Sequence, residues 1–461
     1  MENRITQGVI WKQILLFFFP IWFGTFFQQL YNTADAVIVG NFVGKGALAA
    51  VGATSVVVNL LVGFFVGISS GASVIISQCF GSGDTEGVSH TVHTSIALSF
   101  VMGAVIMVVG ILTTEPILYL IDTPLDIFED SKIYLQVCYL GMIPLIVYNM
   151  GTGILRGIGD SRRPLYFLIA ASLTNIVLDV VFVVFMHMGV LGVALGTVIS
   201  QVVAAVLTML SLLKTRPCYR FQWKKMRFDS AILGRILKIS LPAGMQSVMY
   251  SLSNIVVQTS INGFGTDVVA AYTAYSKIDG IFWMSMNAFG LAITTFVGQN
   301  FGARKYERVK KSIWQGVALA FAGTALLLVI ILPLGPILYR FFVPDQAVID
   351  IGLDILYYLA PVWPTYVLIE ILSGGVRGTG DSIIPMIMTC LGVCVLRVIW
   401  ITGFAMQFWP TLHGVLTCYP ISWTLTSTLF LIYFVQGGWF KRRIRVQDAE
   451  KGTAPALDIT D

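Results

Sequence analysis

Three polar residues within long apolar stretches could together bind and release a small cation. Asp35 lies fifteen residues after Pro20, a residue that removes a helical hydrogen bond and predicts a bend. Asn175 and Asp179 are four residues apart and therefore share one face of a predicted helix. A charged side chain at the centre of a bilayer costs at least about 2.5 kcal/mol, so such residues need a functional reason. Two carboxyl groups that converge in a poorly solvated site cannot both stay ionised, and the pattern predicts a site that loads and unloads protons.

The second half of the chain contains a different set of ionisable residues in apolar surroundings. Lys277 and Asp279 are two residues apart and lie on roughly opposite sides of a helix, so they are not expected to pair. Arg397 could pair with Glu370 or with Asp279. Two interpretations stay open: a structural ion pair, or a role in binding a cationic drug.

Residues that could contact a flat cationic substrate occur close to these charges. Phe282, Trp283, Met284 and Met286 follow Asp279, and aromatic rings and thioethers attract such cations by stacking and cation–π contacts. The competing interpretation is that this stripe packs in the core or against lipid. The predicted substrate-contacting set comprises Gln28, Asn32, Asn149, Lys277, Asp279, Phe282, Met284, Met286 and Glu370.

The composition indicates which elements must position these residues. Of the 461 residues, 56% are apolar and 11% are charged, whereas a soluble domain carries about 25% charged residues. Soluble, fibrous and disordered classes are excluded, and an all-α integral membrane protein is predicted, because a spanning helix needs about 20 apolar residues. The twelve predicted spans are 14–39, 50–80, 91–113, 131–153, 165–187, 190–213, 235–262, 270–300, 312–333, 352–376, 384–408 and 413–436.

The chain also contains an internal duplication. Arg-Gly-x-Gly-Asp-Ser begins at Arg156 and recurs at Arg377, a shift of 221 residues. Pro116-Ile-Leu-Tyr recurs at Pro336 with a shift of 220. Each half contains an even number of spans, so both halves enter the membrane from the same side. Parallel repeats of this kind are typical of secondary transporters that alternate access between two lobes.

The repeat predicts how the chain is divided. The first six-helix lobe is expected at residues 1–213, and a cytoplasmic linker loop at 214–234. The second six-helix lobe is expected at 235–440, followed by a cytoplasmic tail at 441–461.

The distribution of positive charge predicts the orientation in the membrane. Of the 29 lysines and arginines, 24 lie in connections on the side of the termini and 3 in connections on the other side. Positive residues are retained on the cytoplasmic side of a membrane. Both termini are therefore predicted to be cytoplasmic.

Three features that suggest other chemistry have simpler explanations. The glycine-rich element lacks the strand and lysine of a phosphate-binding loop, so a tight turn between helices is predicted. The pairs Cys390 with Cys394 and His90 with His93 have no further ligands nearby, so no metal site or cofactor is expected. The basic loop of residues 214–238 is interpreted as a solvated linker that can contact anionic lipid, and not as a nucleic-acid site.

Several motifs together resemble the multidrug and toxic compound extrusion (MATE) family. They are Tyr31-Asn-Thr-Ala-Asp35, Asn175-Ile-Val-Leu-Asp179, Gly192-Val-Ala-Leu-Gly-Thr197 and Phe296-Val-Gly-Gln299-Asn-Phe-Gly302. The similarity covers about residues 10–440. It implies twelve helices in two parallel six-helix lobes, and export of cationic or amphipathic drugs in exchange for protons or sodium ions.

The resemblance also implies an ion site. The bacterial branch that resembles DinF proteins builds one from an aspartate on helix one, an asparagine and an aspartate on helix five, and a threonine on helix six. The matching residues here are Asp35, Asn175, Asp179 and Thr197, with Pro20 as the bend in helix one. The branch that resembles NorM proteins adds a glutamate on helix seven, but the matching stretch at 242–250 contains no acid. This departure favours coupling in the first lobe.

The resemblance implies a transporter of small molecules in the cytoplasmic membrane that contacts the lipid bilayer, uses no cofactor and works as a monomer. The alternative is a flippase for a lipid-linked precursor, which would need a more cationic cavity than Lys277 and Arg397 supply. An enzyme would need a cluster of acids, histidines or cysteines at a water interface. A channel would not require a buried titratable site.

Overall fold

The computed structural model describes residues 4–450, which form helices and turns without a strand. A short helical turn, Arg4–Thr6, precedes the first span. The spans of the first half are α1 (Ile10–Val43), α2 (Lys45–Ser82), α3 (Thr85–Leu120), α4 (Phe128–Leu140 with Met142–Gly157), α5 (Arg162–Phe185) and α6 (Gly189–Leu213). Those of the second half are α7 (Ser230–Asn262), α8 (Thr266–Gly302), α9 (Tyr306–Phe342), α10 (Gln346–Gly378), α11 (Ile383–Phe408) and α12 (Leu412–Val435). A final helix, α13, covers Gly438–Glu450.

Each of the twelve predicted spans corresponds to one of these helices. Within the described residues, ten helices are long and apolar enough to cross a membrane, and α4 is an eleventh whose two segments meet at 47°. The remaining span, α7, has 33 residues and is about 50 Å long at 1.5 Å per residue. Even after Arg235 and Lys238, this helix contains several serines together with Gln246 and Asn254, and these polar residues weaken its apolar character.

The helix bounds confirm the duplication. The starts of α2 and α8, of α3 and α9, and of α5 and α11 each differ by 221 residues. Gly44 and Gly265, which precede α2 and α8, have φ values of 113° and 99°. Since side chains strongly disfavour such angles, both halves use glycine for the same sharp connection.

The Arg-Gly-x-Gly-Asp-Ser element is the predicted turn between helices in both halves. Gly159 and Gly380 have φ values of 92° and 90°. The Asp160 Oδ1 atom accepts hydrogen bonds from the backbone amides of Arg162 and Arg163, both at 3.1 Å. The carboxylate therefore caps the start of α5, where four amides lack helical partners.

The packing divides the chain into two units whose boundaries differ from the predicted lobes. The first unit is Leu15–Ser247, and the second unit combines, within the described residues, 4–14 with 248–450. Both α1 and α7 therefore begin in one unit and continue in the other. The chain passes between the units inside these two helices, and the loop at 214–234 lies wholly within the first unit.

That loop is packed against α3, so the prediction of a solvated linker is wrong for its middle part. Tyr219 is 3% exposed and Phe221 is 0% exposed. The backbone amide of Gln222 donates to His93 Nε2 at 3.0 Å, and the His93 ring stacks on Phe221. His90 also contacts the loop, since its Nε2 lies 2.8 Å from Arg227 Nη2. The two histidines therefore hold the loop, which is a packing role.

Candidate functional site

The first unit brings the predicted ion-site residues together from three helices. Asp35 is on α1, Asn175 and Asp179 are on α5, and Thr197 is on α6. Asn175 and Asp179 are 0% exposed, while Asp35 and Thr197 are half-buried. Apolar side chains of the same helices pack beside them, namely Ile38, Val39, Val183, Val190 and Val193. The acids therefore lie in a poorly solvated part of the unit.

The polar atoms of this cluster lack protein partners. Within residues 4–450, six of its buried side-chain atoms accept or donate no hydrogen bond: Asp35 Oδ1, both amide atoms of Asn175, both carboxyl oxygens of Asp179, and Thr197 Oγ1. A buried polar group without a partner costs about 1–3 kcal/mol, so natural proteins keep few of them without a reason. This concentration of five oxygens and one amide nitrogen without partners in the described chain makes the cluster the candidate site of the first unit.

The carboxyl groups of Asp35 and Asp179 interact with each other. Two carboxylates contain no hydrogen that either could donate. A favourable contact between them therefore requires a proton on one carboxyl group or a small cation between them. The side-chain oxygens of Asn175 and Thr197 add neutral ligands, and hard cations prefer oxygen ligands.

Wide helical turns flank both acids. A π-helical turn at Val39–Val43 follows Asp35, and another at Val180–Phe185 directly follows Asp179. Such turns shift side chains out of the regular helical register and are frequent at functional sites. In both α1 and α5, the turn lies on the carboxyl-terminal side of the acid.

The second half repeats the backbone at this place but not the acids. Its corresponding turn, Trp400–Ala405, is also π-helical. With the shift of 221 residues, Asp179 corresponds to Trp400, Asn175 to Leu396, and Asp35 to Val256. The Trp400 indole donates to the Gly414 carbonyl at 2.9 Å, so this position is satisfied internally. The ion-site chemistry is present in the first half alone among these equivalent positions.

Gly196 on α6 makes room for the Asp179 carboxylate. A Cβ atom added at Gly196 would overlap Asp179 Oδ1. This backbone is helical, so the glycine is needed for space and not for an unusual φ angle. Sequence reasoning did not identify Gly196, because a small residue one helix away carries no chemical signal of its own.

The other first-half residues of the prediction are more scattered. Gln28 is half-buried, and Asn32 is exposed and donates to Gln29 Oε1 at 3.4 Å. Asn149 donates to the Leu145 carbonyl at 2.9 Å, one turn back on α4. Pro20 lies inside a continuous helix that runs from Ile10 to Ile38. The bend at Pro20 and the substrate role of Gln28, Asn32 and Asn149 stay predictions.

In the second unit, Asp279 lies in an aromatic surround. Its Oδ2 atom accepts from the Trp283 indole at 2.6 Å, while the buried Oδ1 atom has no hydrogen-bond partner in the described chain. The Trp283 ring packs edge-on against Tyr366 and Trp423, with centroids at 4.6 Å and 6.1 Å. Trp283 belongs to the predicted aromatic and methionine stripe, and its spacing of four residues from Asp279 is the sequence signal for this contact.

The predicted ion pair of Arg397 is wrong. Glu370 instead pairs with Arg377 at 3.6 Å and accepts from the Tyr366 hydroxyl at 3.3 Å. Arg397 donates to Asn254 Oδ1 at 3.0 Å and lies over the Tyr419 ring at 4.4 Å. The residue is 1% exposed, so its direct contacts are an amide and a ring, whereas the Asp279 carboxyl group acts on its charge without a direct ion pair.

The aromatic and methionine stripe is largely buried, as one of its two interpretations expects. Phe282 and Met286 are 0% and 1% exposed, and Met284 is 9% exposed. The Phe282 ring stacks on Trp363 at 4.9 Å. These side chains pack inside the unit, so the structure favours the core interpretation over a surface that contacts substrate. Lys277 is exposed on the same helix.

Other chemistry finds no support in the described part of the chain. Residues 4–450 contain no cluster of three or more His, Cys, Asp or Glu side chains that could hold a metal ion. All six cysteines lie in the described part of the chain, and none of them, including Cys390 and Cys394, forms a disulfide there.

The chain is similar to transport proteins along most of its length. A family model described as MatE matches residues 20–181 and 242–401. Probable multidrug resistance protein YoeA of Bacillus subtilis is 28% identical over 457 residues, which cover 96% of this chain and 97% of the relative. Probable multidrug resistance protein NorM of Thermotoga maritima is 24% identical, with 95% of each chain covered.

Solved structures share the fold. A crystal structure of MATE in the straight conformation aligns with a TM-score of 0.88 at 23% identity, covering 97% of this chain and 99% of the other. A MOP superfamily transporter from Pyrococcus furiosus aligns with a TM-score of 0.88 at 23% identity, covering 94% and 96%.

Proposed function

The chain belongs to the MatE family of membrane transporters, and from that premise we propose that it is a cation-coupled drug exporter whose ion site is formed by Asp35 and Asp179. It is a multi-pass protein of the cell membrane and not an enzyme. The coupling cation is a proton or a sodium ion, and it exchanges for a cationic or amphipathic drug. Relatives named as multidrug resistance proteins support this class of substrate.

The observation that carries the proposal is the set of six unpartnered polar atoms in the first unit. A bound cation would satisfy both carboxyl groups and the neutral oxygens at once. After the cation leaves, the site holds two acids that interact unfavourably in a poorly solvated place. The free energy of the empty site therefore differs from that of the loaded site, which is the requirement for coupling an ion to a conformational change.

The second unit offers a weaker candidate for coupling. Glu370 already has Arg377 as a partner, and one oxygen of Asp279 is bonded to Trp283. A cation at Glu370 would have to compete with a guanidinium that is covalently part of the protein. The first-unit acids have no such competitor within hydrogen-bond distance in the described chain.

The charge distribution supports an orientation with both termini in the cytoplasm, because 24 of the 29 lysines and arginines lie on that side. Drug export then requires binding from the cytoplasm or the inner leaflet and release outside. Entry of the cation from outside drives the return step.

The decisive experiment is drug transport in proteoliposomes under an imposed gradient. Asp35→Asn and Asp179→Asn each remove one carboxylate and keep the shape of the side chain. We expect gradient-driven drug transport to fall at least about 100-fold in both variants, since transport without coupling cannot use the gradient. Drug binding measured without a gradient should survive in at least one of them. Parallel arms with a pH gradient alone and a sodium gradient alone identify the cation.

Two matched variants serve as controls. Asp126→Asn changes an exposed acid outside the spans and should transport normally. Asp279→Asn changes the acid of the second unit and tests that unit separately. Wild-type transport rates in both Asp35→Asn and Asp179→Asn would refute the first-unit site, and loss in Asp279→Asn alone would move the coupling site to the second unit.

A further inference from the structure

Arg308 holds the segment that leads into α1 by several hydrogen bonds. Residues 5–8, here called the amino-terminal strap, precede α1 and expose their carbonyl groups to Arg308 near the start of α9. The Arg308 guanidinium donates to the carbonyls of Ile5, Gln7 and Gly8, with nitrogen–oxygen distances of 2.8–3.2 Å. A planar guanidinium presents five N–H donors in a fixed arrangement, so it can bridge several carbonyls that a lysine could not.

Neighbouring side chains complete the contact. Lys305 Nζ donates to the Thr6 carbonyl at 2.8 Å, and Asn300 Nδ2 reaches the Ile5 carbonyl at 3.4 Å. Ile5 and Thr6 are 8% and 6% exposed. Each carbonyl of the strap is thus bonded by a side chain from the end of α8 or the start of α9, and all of these residues belong to the same unit.

The first unit contains the counterpart of this arrangement. There, the loop that leads into α7 is fastened to the start of α3, where His93 and Thr94 accept hydrogen bonds from the backbone amides of Gln222 and Asp229. Because α3 and α9 are equivalent helices of the duplication, each unit holds the segment that introduces the first helix of the other repeat. Position 87, which corresponds to Arg308, is glycine, so the arginine is not inherited from a shared repeat sequence.

This arrangement has a mechanical consequence for α1. The strap belongs to one unit, whereas Leu15 and the rest of α1, including Asp35, belong to the other. Pro20 lies just after the point where the chain passes between the units, and it removes a hydrogen bond from the helix there. A helix held at its start and weakened a few residues later can change direction at that place.

We infer that Arg308 is a positioning residue for transport: it fixes the start of α1 to the second unit, so that a rearrangement around Asp35 is transmitted to that unit. The inference rests on the proposed function for the role of Asp35. Arg308 does not touch drug or cation, and it acts through the strap. Without the guanidinium the start of α1 would be held less firmly, because the strap would keep the bonds from Lys305 and Asn300 but lose those from Arg308, and events at the ion site would move the second unit less effectively.

The test compares Arg308→Gln, Arg308→Lys and Lys311→Gln in the full-length protein. Lys311 is exposed and lies three residues after Arg308, so its variant provides a matched loss of positive charge. Gradient-driven drug transport, drug binding at equilibrium and amide hydrogen exchange of residues 5–14 are measured for each variant. A Lys305→Gln variant, which removes only the bond to Thr6, provides a milder perturbation if Arg308→Gln is poorly produced.

We expect Arg308→Gln to lose exchange protection at residues 5–14 and to transport at least about tenfold more slowly, the size of an ordinary coupling between sites. Its drug binding should stay within about twofold of wild type, because the binding residues are untouched. Arg308→Lys should recover part of the protection and transport, and Lys311→Gln should match wild type. Wild-type transport by Arg308→Gln would overturn the inference, and so would a loss of drug binding equal to the loss of transport.

A second assay separates this inference from the ion-site proposal. Exchange of labelled for unlabelled drug without an ion gradient requires alternation of the units but no ion coupling. Arg308→Gln should slow this exchange, whereas Asp35→Asn should preserve it. Normal gradient-driven transport by Asp35→Asn would refute the ion-site proposal. The exchange assay would still test whether Arg308 is needed for alternation of the units.

Discussion

A methyl group added at Gly196 should disable the ion site without replacing any polar residue. The added Cβ would overlap Asp179 Oδ1, so the carboxylate has to leave its position. Overpacking a well-packed site costs about 1–3 kcal/mol. Alanine in a helix interior recovers about 0.5–1 kcal/mol relative to glycine. The expected net loss of stability is therefore about 0–2.5 kcal/mol, which an intact transporter tolerates.

Transport should respond much more strongly than stability. Displacing Asp179 separates it from Asp35, and the cation then loses one of its two charged ligands. We expect gradient-driven drug transport by Gly196→Ala to fall at least about 10-fold, with thermal unfolding close to that of wild type. The assay is drug uptake into proteoliposomes under the gradient that supports wild-type transport, with equal amounts of reconstituted protein.

Two other glycines provide matched comparisons. A Cβ at Gly52 on α2 meets nothing within 4 Å, so Gly52→Ala should transport normally. A Cβ at Gly290 on α8 would overlap Glu370 and tests the acid of the second unit in the same way. If Gly196→Ala transports as well as Gly52→Ala, the position of the Asp179 carboxylate does not matter, and the reasoning from the six unpartnered atoms is refuted.

Three further predictions follow from the orientation, the core and the tail. Single cysteines at Gly83 and Lys225 in a cysteine-free background should be labelled only from the cytoplasm, and one at Asp126 only from outside, whereas external labelling at Lys225 would reverse the orientation. Phe282→Ala should lower stability by about 3–5 kcal/mol because this ring is fully buried against Trp363, and a changed drug profile in a protein of normal stability would contradict the core interpretation. Arg442→Gln breaks the 2.7 Å ion pair with Asp381, but Arg442 is 52% exposed, so thermal unfolding should show a loss below about 1 kcal/mol.

Much of the fold follows from patterns that persist over long stretches of sequence. A span of about 20 apolar residues has few alternatives in a membrane, because every backbone polar group must be bonded within the segment. The duplication could be read from Arg156 and Arg377 because the turn they introduce needs glycine, an acid and a proline at fixed places. The two units were not predictable in the same way. Their boundaries inside α1 and α7 depend on packing between distant residues, such as Ser240, whose hydroxyl donates to the Ile68 carbonyl at 2.6 Å.

The candidate site was also predictable from the sequence only in part. Asp35, Asn175 and Asp179 could be selected because a charge or amide in an apolar span is costly, and they lie together in the first unit. The contacts of Arg397 could not be predicted, because the free-energy cost of burying a charge does not say which partner the charge finds. An amide and an aromatic ring contact the guanidinium here, and neither stands out in a sequence rich in both. Gly196 was equally hidden, since its role is the space it leaves.

The duplication separates what the fold requires from what transport requires. Both halves form a π-helical turn at the same place, so this backbone feature does not depend on the acid that precedes it in the first half. Trp400 occupies the position of Asp179 in the second half and is satisfied by a carbonyl, whereas Asp179 has both oxygens unpartnered in the described chain. A fold that accepts tryptophan at one copy of this position does not need a carboxylate at the other. Loss of transport in Asp179→Asn at undiminished stability is therefore the expected signature of a residue kept for its chemistry.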